Sequence, residues 1–240
     1  MKRIRVIGLA LVAMLAMGVA AASAVATPSH LYEVETKALA ENETKEIRSR
    51  AKTEFILKGE QEILGSKVKS ETKCKTLKLN AAEHPIIIGG PVGKSAKEQI
   101  EFGECTATLG GSKCEKVVVE SASTNDELVT ILKPAGKNGK LGSLFTPAVG
   151  KVFTTVKFTK CGIFGTREAK VEGTSTALVL GEGVQSVVGV LSYSETEEVT
   201  EIEKQSGTKE PTGLKFSGFP ATIKGEAEVE LTTSQVWGAF

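Results

Sequence analysis

Ala221-Thr222-Ile223-Lys224-Gly225-Glu226-Ala227-Glu228-Val229-Glu230-Leu231 alternates small or apolar side chains with charged ones almost residue by residue. Ile223, Ala227, Val229 and Leu231 fall on one face, with Gly225 between them, and Lys224, Glu226, Glu228 and Glu230 fall on the other. Successive residues of a strand point to opposite faces, whereas a helix would scatter these charges around its circumference, so the stretch reads as a β-strand with one dry and one wet face. Residues 167–179 repeat the device, with Ala169, Val171, Ala177 and Val179 opposite Lys170, Glu172 and Thr174.

Further β-favouring runs lie at 75–79, 85–88, 98–102, 116–120, 128–132, 152–160, 187–194 and 214–217. Turn signals separate them: Gly89-Gly90-Pro91, Gly110-Gly111, Asn138-Gly139, the glycines at 181 and 183, and those at 207 and 213. Short strands at this spacing predict an all-β domain over residues 59–240, built as an antiparallel β-sandwich or a partly closed barrel. Two stretches read differently. Residues 33–52, rich in Glu, Lys, Ala and Arg, are expected to form a surface helix within a charged N-terminal segment, 25–58. Residues 195–203, rich in Glu and Thr, are expected to be an exposed edge or hairpin arm whose charge opposes aggregation.

The chain opens with the basic residues Lys2, Arg3 and Arg5, then an apolar run to about Ala22 and the small-residue triplets Ala22-Ser23-Ala24 and Ala24-Val25-Ala26. That is the pattern of a helical secretory signal over 1–24, cleaved near 24–26. No cysteine stands beside it to carry a lipid, and no later run supplies the roughly 20 apolar residues of a spanning helix, so no membrane span is expected in the mature chain. Loss of Lys2, Arg3 and Arg5 leaves 27 of the 30 basic side chains against 29 acidic ones, a net charge of −2. A nucleic-acid binder's basic excess is missing. The expected product is a secreted, extracellular chain.

Cys74, Cys105, Cys114 and Cys161 are an even set in an exported chain, which predicts two disulfides. Four cysteines allow three connectivities. The short spacing favours Cys105 with Cys114 as a local hairpin bridge, leaving Cys74 with Cys161 as a long-range staple. On the chain-entropy treatment those loops contribute about 2.7 and 4.6 kcal/mol. The gaps lack the paired short spacings of a structural zinc site, and no metal is expected.

Candidate chemistry is sparse. The run from Ile86 to Ser95, with Gly93-Lys94-Ser95 at its end, resembles a phosphate-binding loop, but the position that must be glycine is Ile88, so it reads as a β-turn. Of the two histidines, His30 falls in the new N-terminus, expected to be disordered, and only His84 could act as a general base; it precedes Pro85 at a strand entry, where a conformational role is the simpler one. A Cys161–histidine pair would need a free thiol. Asp126 is the sole aspartate among 29 acidic residues, so no calcium loop can be written, and no glutamate pair stands out for glycoside hydrolysis. No catalytic residue and no cofactor are therefore predicted. Trp237 and Phe240 end the chain on two aromatics, expected to pack over an open end of the fold or to form an interaction surface. Asn42-Glu43-Thr44 is a glycosylation sequon wherever the host has the machinery.

One wider pattern joins these residues. Cys74, Ile100-Glu101-Phe102-Gly103-Glu104-Cys105, Cys114, Gly139-Lys140-Leu141-Gly142 and Phe153 through Val156-Lys157-Phe158-Thr159-Lys160-Cys161-Gly162 together resemble the uncharacterised exported two-disulfide β-proteins of high-GC Gram-positive bacteria. The resemblance spans about residues 63–180. It implies an all-β fold and the same cysteine pairing, and no activity. The function expected from the sequence is a non-catalytic secreted or cell-surface structural or interaction protein that contacts a cell-wall or extracellular component. The alternatives are a small-ligand or carbohydrate-binding module and, behind it, an extracellular hydrolase. A deep pocket holding convergent polar side chains would count against a purely structural role.

Overall fold

In the computed structural model, which describes residues 30–194 and 198–240, nearly every segment is strand. The expected signal at 1–24 lies outside the described residues. In chain order the strands are β1 (Tyr32–Val34), β2 (Lys37–Ala38), β3 (Thr44–Ala51), β4 (Phe55–Ile63), β5 (Ser66–Leu79), β6 (Ile86–Ile88), β7 (Lys94–Leu109), β8 (Ser112–Lys113), β9 (Lys116–Lys133), β10 (Leu141–Pro147), β11 (Val152–Thr159), β12 (Arg167–Leu180), β13 (Val188–Tyr193), β14 (Glu201–Glu203), β15 (Lys209–Pro211), β16 (Gly213–Phe216), β17 (Phe219–Leu231) and β18 (Trp237–Ala239).

Following the antiparallel pairings from neighbour to neighbour leads back to the start, twice. One circuit runs β7, β9, β10, β12, β13, β17, β3, β6 and returns to β7. The other runs β9, β11, β12, β16, β17, β4, β5, β7 and closes on β9 at Glu101 opposite Glu120. The long strands β7, β9, β12 and β17 serve both circuits. The positions between them are filled end to end by pairs of strands: β3 with β4, β6 with β5, β10 with β11, and β13 with β16. The all-β expectation holds, and the sheet is a tall closed barrel of two stacked halves, which leaves few free edges. β18, β1 and β2 form a small sheet of their own.

The two best sequence readings match their strands: 221–231 lies within β17 and 167–179 within β12. Runs 116–120 and 128–132 are the two ends of one strand, β9. The expected helix at 33–52 is not formed, and the segment 25–58 is not a separate unit, because its described part supplies β1, β2, β3 and the start of β4. The reason lies in β3, where Ile47, Ser49 and Ala51 share a face and Arg48 and Arg50 the other. These outward cations meet the outward glutamates of β17: Arg48 Nη2 lies 2.8 Å from Glu230 Oε2, Arg50 Nε 2.7 Å from Glu228 Oε2, and Lys52 Nζ 2.9 Å from Glu226 Oε2. Helix propensity is a weak prior, and cross-strand partners of opposite charge override it.

The lower half is filled. Phe158 and Phe216, both fully buried, pack with ring centroids 6.3 Å apart, and Leu109, Val156 and Val171 are closed around them. Burying one such side chain is worth about 1.5–3 kcal/mol. At the waist the Phe55 ring sets its edge against Phe102 and Tyr193, at 5.8 and 5.9 Å. This ring needs Gly225: a Cβ there would stand 2.8 Å from the Phe55 ring, and the backbone has φ +151°. On the outer face of β9, Val129 and Ile131 are covered by Val199 and Ile202, so the described part of 195–203 packs on the barrel rather than forming a free arm.

The cysteine pairing differs from the expected one. The bridges are Cys74–Cys105 and Cys114–Cys161, across sequence separations of 31 and 47. Cys74 and Cys105 face each other in the β5–β7 register, while Cys114 donates its backbone N–H to Ala107, two residues beyond Cys105. The hairpin therefore presents Cys105 sideways to β5 and leaves Cys114 for Cys161. On the chain-entropy treatment each bridge contributes about 4 kcal/mol.

Non-reducing peptide mapping of the purified protein should recover Cys74–Cys105 and Cys114–Cys161; a Cys105–Cys114 peptide would contradict this register. Gly225→Ala should destabilise the fold by about 1–3 kcal/mol, through overpacking against Phe55, in urea unfolding. An unchanged midpoint would show that the waist packs differently.

Candidate functional site

The upper half of the barrel is built from smaller side chains than the lower. Ile47 and Ser49 on β3, Ile87 on β6, Leu128 on β9, Ser143 on β10, Gly189 and Leu191 on β13 and Val229 on β17 supply no phenylalanine at this level. The short sheet of β18, β1 and β2 closes the top. Tyr32 and Trp237 meet there with ring centroids 6.0 Å apart, and the Trp237 ring edge approaches so closely that a Cβ on Gly189 would fall 2.8 Å from it. The lid is tied down by Leu31 N–H to Phe240 O at 2.9 Å and Gly93 N–H to His30 O at 2.7 Å.

Between lid and waist lies a cavity of about 360 Å³, bounded by Tyr32, Ile47, Ile87, Leu128, Val229 and Trp237, with Glu98, Asp126, Ser143, Ser186 and Lys52 as its polar members. The spaces within the core of the lower half and waist are about 30 Å³ each, whereas the hollow of about 600 Å³ bordered by Lys58, Glu60, Lys69 and Glu71 in the lower half is wide open and charged. Glu98 borders both the cavity and the packed waist below it, and so forms part of the floor.

A local irregularity puts two polar residues of β7 inside. Ser95 pairs with Asp126 and Glu98 with Thr124, and the register shifts between them at Lys97, which has φ 62°. Without that bulge, positions 95 and 98 would face opposite sides. Thr124 Oγ1 donates to Glu98 O at 3.0 Å and holds the bulge to β9. Asp126 is only 7% exposed; Ser143 Oγ donates to its Oδ2, and its Oδ1 has no hydrogen bond of regular geometry, although Ser95 lies close enough to act on the carboxyl.

Both carboxyls are displaced upward. Burial is the larger cause for each, and the charge of Asp126 adds to it at Glu98, which lies well above the ordinary carboxylate range. Ser143 and Ser95 pull Asp126 partly back. Among the described residues, no lysine, arginine or histidine acts on either group. Lys52 reaches the cavity wall, but its ammonium is engaged by Glu226 at 2.9 Å. The phenols of Tyr32 and Tyr193 are also raised, by burial first and by these carboxyls next. A dry acid pair of this kind can hold a proton at neutral pH, donate it to a ligand, or ionise against an incoming cation.

The residues singled out from the sequence are distributed unevenly around this site. Asp126, noted only as the sole aspartate, is at its centre. Trp237, 8% exposed, faces the cavity and offers no outer surface, while Phe240 is half-buried at the lid's edge. His30 is not in a disordered terminus: it is buried, with Nε2 2.7 Å from Thr130 Oγ1, and burial lowers its pKa. His84 is exposed on the outer wall, with Nδ1 2.8 Å from Glu46 Oε1 and no place in the cavity. The loop-like run ending in Ser95 is the β6–β7 hairpin, as expected of a turn. Glu98 was not singled out, since one glutamate among so many carries no distinguishing signal. No known protein family, no curated protein and no solved structure matches the chain.

The pH dependence of stability follows from the raised carboxyls. An acid whose folded pKa exceeds its unfolded one binds more protons when folded, so its stability is full below the ordinary carboxylate pKa and falls as pH climbs toward the raised value. The lowered carboxyls Glu43, Glu71 and Glu230 act oppositely, and only at more acid pH. His30, whose pKa burial lowers, acts oppositely below its ordinary range, so urea midpoints should decline with pH from about pH 7 to 8. Glu98→Gln should flatten that decline and raise the midpoint at the alkaline end; parallel curves for both proteins would show that Glu98 does not carry the effect.

Proposed function

We propose that this protein is an extracellular binder of a small, largely apolar molecule, taken up inside the upper half of the barrel and oriented by Glu98, Asp126 and Ser143. The observation that carries this reading is the contrast inside the barrel: core gaps of about 30 Å³ in the lower half and waist, and an apolar-walled space of about 360 Å³ above them. Empty space on that scale forfeits the contacts that stabilise a core, at roughly 24 cal/mol per Å³ where it arises by truncation. Small-molecule sites are apolar hollows of roughly 300–1,000 Å³ with a few convergent polar groups, and this cavity has that make-up. The exposed Leu180, Val184 and Val187 beside its wall, in and around the β12–β13 connection, give an apolar ligand a route in.

A purely structural or partner-binding role is the second reading. It is favoured by Leu64 and Ile163, 97% and 93% exposed on turns at the lower end, which would suit contact with a cell-wall or other extracellular component. The disulfides, and the export expected from the sequence, fit both readings.

Trp237 is the only tryptophan and lines the cavity, so its emission reports occupancy directly. Titration with toluene, 2-phenylethanol and 2-phenylethylamine should shift that emission with Kd values at or below about 1 mM for at least one of them. Val229→Phe and, separately, Ile47→Phe should fill the space and weaken binding by about tenfold or more, with near-ultraviolet dichroism confirming a packed fold. Absence of any shift with all three compounds would remove the ligand-binding reading and leave the structural one.

A further inference from the structure

We infer that the ligand is an organic cation, a primary amine on an apolar body, whose ammonium group is held by Glu98 and Asp126 at the cavity floor. This rests on the cavity being a ligand site and goes on to name the chemistry of its occupant.

The acceptor balance carries the argument. Two carboxyl groups on the neighbouring strands β7 and β9 bring four oxygens to one side of the cavity, against the hydroxyls of Ser143 and Ser95. Ser143 Oγ satisfies Asp126 Oδ2, while Asp126 Oδ1 and Ser95 Oγ are buried without a regular hydrogen bond. A buried, unpaired acceptor costs free energy that a donor would recover. An ammonium is the complementary group, with three donors, no acceptor and a charge opposite to that of the ionised pair. A neutral hydroxyl would bring one donor and leave the charge uncompensated, and a carboxylate would be repelled.

Most of the rest of the lining agrees, the exception being Trp237 Nε1–H, a buried donor without a partner among the described residues. No cation of the described chain acts on either carboxyl, so the place of a counter-ion is open. Tyr32 and Trp237, the aromatic pair at the other end, offer ring faces to an apolar or aromatic body and a further attraction to positive charge. The volume is about twice that of a cavity known to admit benzene, which suits a ring carrying a short aminoalkyl chain.

The pair and its surroundings also set the pH response. The groups facing the carboxyls are the phenols of Tyr32 and Tyr193, the hydroxyls of Ser95 and Ser143, Glu127 from β9, and Lys52 at the wall, already paired with Glu226. Of these, Lys52 alone is a cation, and its ammonium is held by Glu226. Admission of an ammonium therefore favours the ionised pair, and a proton leaves as the amine enters.

The test uses three compounds of matched shape on the oxidised protein: 2-phenylethylamine, 2-phenylethanol and 3-phenylpropanoate. Calorimetry and Trp237 emission should give the amine about a tenfold lower Kd than the alcohol at about pH 8, with the carboxylate weakest. Amine affinity should rise from about pH 6 to 8, with proton release seen as a dependence of the heat on buffer, while alcohol affinity stays flat. Glu98→Gln and Asp126→Asn should each cost most of the amine's advantage over the alcohol, both compounds being measured on the same variant. Equal binding of amine and alcohol, or an unchanged preference in both variants, would overturn the cation while leaving the cavity as a site for neutral ligands. If none of the three compounds binds, the cation inference and the cavity reading fall together.

Discussion

Closure of the sheet is the constraint on which the rest of this structure depends. A strand at an edge exposes a row of unpaired backbone donors and acceptors, and a ring of antiparallel strands removes the edge. Here β7, β9, β12 and β17 run through both halves, so neither circuit can open without disturbing the other. The alternation of β17 acquires its meaning from that position: its inner face serves two cores, and its outer glutamates fix β3 through the arginine contacts. Outward charge around an apolar interior is also the reverse of what a lipid-facing barrel presents.

Division of labour between the halves follows from side-chain size. Phe55, Phe102, Phe153, Phe158 and Phe216 pack the lower half and the waist, and the disulfides Cys74–Cys105 and Cys114–Cys161 both lie among the strands that surround it. Serine, glycine and valine at matching levels above leave space that no rotamer of theirs can fill. Stability is thus concentrated below, and the upper half is free to be hollow. An apolar void of this size in a uniformly packed barrel would simply be a loss.

Legibility in the sequence followed the strength of local pattern. Strands with one wet face, such as β12 and β17, announced themselves through strict alternation. β4 and the first half of β5 did not, because Lys58, Glu60, Lys67 and Lys69 mix charge into runs whose inner positions include glycine, glutamine and serine. β3 looked helical because its inner side chains are small and only its distant partner β17 explains its charges. The cysteine pairing was hidden for a related reason, since sequence spacing says nothing about which strand lies beside which. Asp126 could be noticed because it is unique, whereas Glu98 becomes distinctive only through the bulge at Lys97, a backbone event with no marker in the residue types around it.

That bulge is the point at which fold and function meet. A regular β7 would turn either Ser95 or Glu98 outward and would leave Asp126 as a single buried acid, which protonation alone could neutralise. Instead a lysine is held at positive φ, a conformation that costs free energy, and its result is a second carboxyl placed against the first in a dry cavity. Each of these features weakens the empty protein: the void, the backbone conformation, and two buried acids of which Asp126 raises the pKa of Glu98. They stand on adjoining strands and act on one small volume. Independent defects would be expected to scatter, and a set confined to one place is what a binding site requires, because only an occupant can fill the void, neutralise the pair and satisfy Asp126 Oδ1 together.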